Sequence, residues 1–382
     1  MKLWDKGYDI NREVEMFTVG NDYLLDRKLV KHDCRASIAH AEMLKEAGIL
    51  NEEELARIVE ALNGIIAMDL EIMPEDEDCH TAIENQLTKT LGDLGRKIHT
   101  ARSRNDQVVA ALRLYADEQQ KDIIALCDEF TKTLDRLDDC EIPGYTHTRK
   151  AMPSSVAMWA GGFADSMRDN AALMEHVRKR VFQSPIGGGA GYGVPLDIDR
   201  ALPARILGFS KVQNPVYVQN SRGKFEADVL HCCSQVMLDL NKMASDLILF
   251  TMPEFGYFQL PDEFCTGSSI MPHKKNPDVL ELVRAKYHVV SSYEQQVKGI
   301  VSNLISGYHR DLQLTKEPLM SGLGVTRDCL QIMTSVVKNL RIDRGKAKKA
   351  CTAELYATKE VYELVKQGIP FREAYRKVSG KY

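Results

Sequence analysis

The stretch VLHCCSQVMLDLNKMASDLI, residues 229–248, decides the fold class. Leu230, Cys233, Met237, Leu240, Ala244 and Leu247 step by three or four residues, the spacing that gathers side chains on one face of an α-helix. Val229, Val236, Met243 and Ile248 flank this stripe and are also apolar, so the face is wider than one neighbouring helix can cover. Such a helix packs on several sides, in a multi-helix bundle that can extend across subunits.

Working outward, Asn51 stands before an apolar-periodic run (Leu55, Ile58, Val59, Leu62, Ile66), with Glu54 three residues on, the pattern of a capping box. Long stretches near 104–139, 150–182 and 276–305 lack internal proline except near their starts. Pro153 and Pro277 there are expected in the first helical turn, where a missing N–H does no harm. Alternating strand patterns are scarce, so the expected class is all-α. Glycine and proline cluster at Ser184 to Pro195 and again around Gly267 and Pro272, marking loops. The first of these lacks a Gly-Lys-Ser/Thr ending and a preceding strand, so it reads as a tight connector rather than a phosphate cradle.

With 382 residues, 44% hydrophobic and 27% charged, the chain can bury a large core in more than one structural unit. A net charge of −4 gives no global attraction to nucleic acid or an anionic membrane. Met1 to Lys6 lack a signal-peptide apolar run, and no later segment is apolar for long enough to span a bilayer, so a cytoplasmic protein is expected. Nine scattered cysteines form no Cys-x-x-Cys pair and are expected as reduced, mostly buried thiols. Ten histidines show no His-Glu-x-x-His spacing, so neither a metal nor another cofactor is expected.

Four segments carry candidate chemistry. His99 to Gln107 crowds Arg102, Ser103, Arg104 and Asn105 at a helix start, where side-chain donors and free N–H groups suit a carboxylate; a solvated cap is the alternative. Gly144 to Arg149 places His147 between Thr146 and Thr148, an imidazole able to give a proton to a departing nitrogen, or simply a structural histidine. Thr266 to Pro277 puts Ser268 and Ser269 on a mobile glycine loop near Lys274, Lys275 and Asn276, an oxyanion site with a base attached; a flexible linker explains this string poorly. Gly307 to Pro318 repeats polar residues at helical spacing, so that Tyr308, Gln313 and Lys316 can line one wall or a solvated face.

Together these segments resemble the fumarase/aspartase superfamily, whose fumarate-releasing members carry a Gly-Ser-Ser-x-Met-Pro-x-Lys-x-Asn-Pro loop, matched here from Gly267 to Pro277. Within it, His99 to Gln107, Gly144 to His147, Glu254-Phe255-Gly256, Thr266 to Pro277 and Tyr308 to Pro318 are similar to the argininosuccinate lyase family, from about Leu3 into Val361 to Val378. The resemblance implies a three-domain, all-α fold (1–100, 101–349 and 350–382) whose central long-helix bundle forms a homotetramer core, with active sites shared between three subunits. It implies β-elimination of a small-molecule substrate, argininosuccinate, to fumarate and arginine. Ser268 is then the base, Lys274 and Asn276 hold the carboxylate whose charge grows, and His147, paired with Glu281, assists the leaving nitrogen. Ser103, Arg104, Asn105 and Thr146 fall on the succinyl side; Ser37, Tyr308, Gln313 and Lys316 on the arginine side, with His80 nearby.

The chain departs from the family pattern at several points. His273 replaces a usual glutamine, and a histidine there is found in adenylosuccinate lyase. Ala101 replaces a glycine, Leu314-Thr315 an acidic pair, and Gly223 an arginine for which Arg222 or Lys224 can substitute. These changes cluster on the amine side and leave the fumarate-forming half intact, so another fumarate-releasing lyase is the first alternative. The chain has no obvious phosphate-binding cluster for adenylosuccinate. A second alternative, a non-catalytic crystallin-like protein, conflicts with the presence of Ser268, His147, Lys274 and Glu281. The C-terminal domain also reads as shortened relative to the family.

Overall fold

The computed structural model describes residues 11–382; the stretch Met1 to Lys6 discussed above lies outside them. In chain order the main elements are α1 (Arg12–Val19), α2 (Val30–Glu46), α3 (Glu52–Ala67), α4 (Cys79–Leu91), α5 (Arg104–Leu134), β1 (Glu141–Thr146), β2 (Arg149–Ser155) and α6 (Val156–Val181). They continue with α7 (Lys224–Thr251), β3 (Thr266–Gly267), β4 (Lys275–Asn276), α8 (Asp278–Val301), α9 (Lys316–Lys338), α10 (Ala357–Lys366) and α11 (Phe371–Ser379). The fold is mostly helical, as expected. No helix among the described residues is long and apolar enough to cross a membrane.

The residues divide into two compact units. One comprises residues up to Asp122, Leu173–Cys233 and Ser291–Gly324; the other Ile123–Ala172, Ser234–Val290 and Val325–Tyr382. In the first, α2, α3 and α4 pack on one another, and Ala36 of α2 shares a core with Ala110, Leu114, Ile186, Ala204 and Phe209. In the second, Trp159 and Phe258 stack 5.3 Å apart beside Phe250, with the indole N–H donating to Asp246 at 2.9 Å. The polar tip of a half-buried aromatic is satisfied in this way. The hairpin α10–α11 closes on its own small core of Val361, Ala374 and Val378.

The wide stripe on α7 is real. Val229, Leu230, Cys233, Val236, Met237, Leu240, Met243, Ala244 and Leu247 are all fully buried. They are covered within the single chain, so the stripe does not itself call for a second copy.

Element boundaries correct several expectations. Pro153 does not open a helix; it lies in β2 opposite Pro143, in a two-stranded ladder whose outer edges need no N–H. The helix starts at Val156, after Ser155 Oγ and Asp139 Oδ1 have taken the N–H groups of Met158 and Ala157. Pro277 sits one residue before α8, its carbonyl accepting from Leu280 N–H at 2.9 Å. Strands, scarce in the sequence pattern, form three two-stranded sheets among the described residues.

The capping box of α3 is present in full: Asn51 Oδ1 accepts from Glu54 N–H at 2.9 Å and Glu54 Oε2 from Asn51 N–H at 3.0 Å. Asn51→Ala is expected to lower the unfolding free energy by about 1 kcal/mol, read as a lower urea midpoint with an unchanged slope.

Candidate active site

Arg104, Asn105, Tyr308, Gln313 and Lys316 line one pocket in the first unit, together with Asp22, Glu77, Asp78 and Arg222. Five residues chosen from two distant sequence segments are thus brought together. Arg104 opens α5 and spreads its guanidinium over three acceptors: Glu77 at 2.8 Å, Asp78 at 3.1 Å and Thr81 Oγ1 at 3.0 Å. Burial pulls its pKa down, but Asp78 and Glu77 outweigh this and the net shift is upward. Lys316 is fully buried with its Nζ 2.6 Å from Asp26 and 2.9 Å from Asp22. Against a large burial penalty these carboxylates hold its pKa well above the ordinary lysine range. Gln313 donates to the carbonyls of Thr18 and Val19, tying the end of α1 to the pocket wall.

Two further candidates lie buried in the same unit. Ser37 Oγ accepts from Arg102 at 2.9 Å. His80 is fully buried with Nδ1 3.1 Å from Asp33 Oδ1; burial lowers its pKa, while Asp33, Asp78 and Asp26 raise it, with a net upward shift. Ser103 caps the start of α5, its Oγ accepting from Asn105 N–H at 3.2 Å.

The remaining candidates lie on two hairpins and one helix of the second unit. Thr146 ends β1 and pairs with Arg149, leaving His147 and Thr148 as a two-residue turn. Both have left-handed φ, 52° and 56°, the type I′ geometry that normally selects Asn-Gly. For a β-branched threonine this is strained, at roughly 1–3 kcal/mol, and such strain gathers at functional sites. It presents His147 exposed at the hairpin tip.

On the second hairpin β3 pairs with β4, and Asn276 donates to Gly267 O at 3.3 Å across it. Within its loop, Ser268 Oγ accepts two backbone N–H groups, from Met271 at 3.1 Å and Ile270 at 3.3 Å. Lys274 is exposed on the same loop. Glu281, in the first turn of α8, borders an open groove with Asn241, Arg284 and His288. Among the described residues no hydrogen bond joins Glu281 to His147.

Sequence reasoning missed the buried carboxylates of the first unit. Asp106 was visible only as part of a donor-rich string, yet it is 3% exposed and accepts from Ser103 N–H at 3.1 Å and Gly189 N–H at 2.9 Å. The glycine run is therefore a connector clamped onto the start of α5. Asp22, Asp26 and Asp33 carried no motif at all.

The departures also find places. Ala101 has φ of 58°, the left-handed region for which the family's glycine is suited. Thr315 is buried against Glu226, whereas Leu314 is exposed. Arg222 reaches the pocket, held by Glu226 at 3.1 Å and by Leu312 O at 2.8 Å. Gly223 has φ of 78° and a Cβ there would overlap Val301; of its two cationic neighbours Arg222, not Lys224, lines this pocket.

A family model described as Lyase matches residues 11–291. The chain is 53% identical, over all of its own length and 98% of the relative's, to the argininosuccinate lyase of Thermotoga neapolitana. It is 43% identical to that of Sorangium cellulosum, over all of this chain and 90% of the relative.

The chain belongs to the argininosuccinate lyase family.

The motif resemblance thus holds, and so does the helical fold. A solved structure described as fumarate lyase:delta crystallin from Brucella melitensis superposes with a TM-score of 0.80 at 18% identity, covering 97% of this chain and 87% of that one. For this member of the argininosuccinate lyase family, the buried acid at the start of α5 has a pH signature. Burial pushes the Asp106 carboxyl up from 3.8 to about 6, against the lowering effect of its two N–H donors. The folded state then binds more protons than the unfolded state between these values, so this group makes stability fall as pH rises through that window. Relative to Asp106→Asn, the unsubstituted protein should gain on the order of 3 kcal/mol on acidification from pH 7 to pH 4, measured by urea unfolding of both. A gap that stays constant with pH refutes the assignment.

Proposed function

We propose that the chain cleaves argininosuccinate by β-elimination, releasing fumarate and arginine, with Ser268 as the base. The observation that carries this reading is the pair of N–H groups on Ser268 Oγ. A serine hydroxyl is too weakly acidic to lose its proton unless donors stabilise the alkoxide, and two backbone amides on a closing loop do that. The alkoxide takes a proton from the carbon next to a substrate carboxylate. Lys274 and Asn276 hold that carboxylate as charge accumulates on it, an interaction strongest in the transition state.

The carbon–nitrogen bond then breaks, and His147 gives a proton to the leaving guanidinium nitrogen. Glu281 orients the imidazole from another subunit of a homotetramer, a reading in keeping with the exposure of both residues on the single chain. Ser103, Arg104, Asn105 and Thr146 hold the succinyl part; Ser37, Tyr308, Gln313 and Lys316 the arginine part, with Arg222 as an added cation and His80 as buried support. In this reading the enzyme works in the cytoplasm, in arginine biosynthesis, with the division at 1–100, 101–349 and 350–382, and an isolated chain is inactive.

General acid or base catalysis is worth ~10² to 10⁴ in rate. His147→Asn and Ser268→Ala should each fold normally and lose kcat by factors in that range, followed by fumarate absorbance. Argininosuccinate and adenylosuccinate run in parallel identify the amine half. Unchanged turnover in either variant removes that residue from the chemistry.

A further inference from the structure

A second cavity in the first unit, about 50 Å³, is lined by Arg113, Arg180, Gln213, Tyr217, Ser221 and Lys224 among others. That is several times the room a single water needs. Arg113 is 3% exposed, and the acceptors it meets are neutral: Gln183 O, Gln213 Oε1 at 2.6 Å and Ser221 Oγ at 2.8 Å. Its Nε is buried with no hydrogen-bond partner, and its guanidinium lies 5.1 Å from the Phe225 ring centroid. No carboxylate pairs with it among the described residues. Burial accordingly pulls its pKa down to about 9, with Glu226 opposing.

Lys224, on the same cavity, has its Nζ 5.9 Å from the Tyr217 ring centroid and no carboxylate partner among the described residues. Asp228 is the one acid in the lining, and Arg180 takes it at 2.7 Å. Lys224 is also the first residue of the 28-residue helix α7, so the positive end of that helix dipole borders the cavity. Two unpaired cations and a helix start around one small space are the elements of an anion site. A buried charge without a counter-ion is otherwise expensive.

We propose that this cavity binds a small inorganic anion, of chloride size, between Arg113 and Lys224 at the start of α7. Such an ion neutralises Arg113 and steadies the Ser221–Arg222 turn that delivers Arg222 to the pocket.

The test uses the full chain at constant ionic strength, with sodium chloride replacing sodium gluconate, whose anion is too large for the cavity. Thermal unfolding should show a rise on the order of 2–4 °C that saturates with chloride. Chlorine NMR should show line broadening that excess bromide relieves. Lys224→Ala, an exposed position that leaves folding intact, should lose most of both responses; Arg113→Gln should lose them entirely if it folds. Equal melting temperatures in the two salts, a response linear in salt without saturation, or an undiminished response in Lys224→Ala overturns the proposal.

Discussion

The ammonium of Lys316, buried between Asp22 and Asp26, is the contact on which the pocket of the first unit depends. It draws the segment after α1 onto the start of α9, almost three hundred positions later in the sequence. The other oxygen of Asp26 accepts from Cys79 N–H at 3.2 Å and so brings in α4 as well. Removing one member of a buried set like this leaves uncompensated charge and typically destabilises by about 3–5 kcal/mol. The same logic repeats around the pocket, with Arg104 on Glu77 and Asp78 and Arg222 on Glu226. Each cation is held by an acid behind it, so its position is fixed before any substrate arrives, which is the condition for electrostatic preorganisation.

Local signals in the sequence were read well where local chemistry decides the outcome. The apolar period of 229–248 and the reciprocal bonds of Asn51 and Glu54 need only neighbours on the same helix, and both are found in place. Pro153 was misplaced because a two-residue turn normally announces itself with glycine or asparagine, and here His147 and Thr148 occupy it. The partners of Asp106, Lys316 and Arg113 lie 83, 290 and 108 residues away, at Gly189, Asp26 and Ser221. No pattern along the chain encodes such pairings. The pocket members Tyr308, Gln313 and Lys316 were legible as candidates from their polar spacing, and the family resemblance favoured a pocket wall over a solvated face for them.

The two hairpins present their candidate residues differently. The ladder of β1 and β2 runs from Glu141↔Ser155 to Thr146↔Arg149 and ends in a two-residue turn that holds His147 directly on the strands. The ladder of β3 and β4 has only Thr266↔Asn276 and Gly267↔Lys275, and everything from Ser268 to Lys274 hangs beyond it. If His147 is the acid and Ser268 the base, as proposed, this difference suits a reaction in which the loop first admits the substrate and then excludes water.

Gly223 sets a limit on what can be substituted around the pocket. Its missing side chain is what lets Val301 pack against the turn before α7, so an arginine cannot be placed at 223 by one substitution. Val301 must shrink first, and until it does the neighbouring Arg222 is the workable solution. The two positions are therefore coupled through packing, and a larger residue at 223 needs a smaller one at 301.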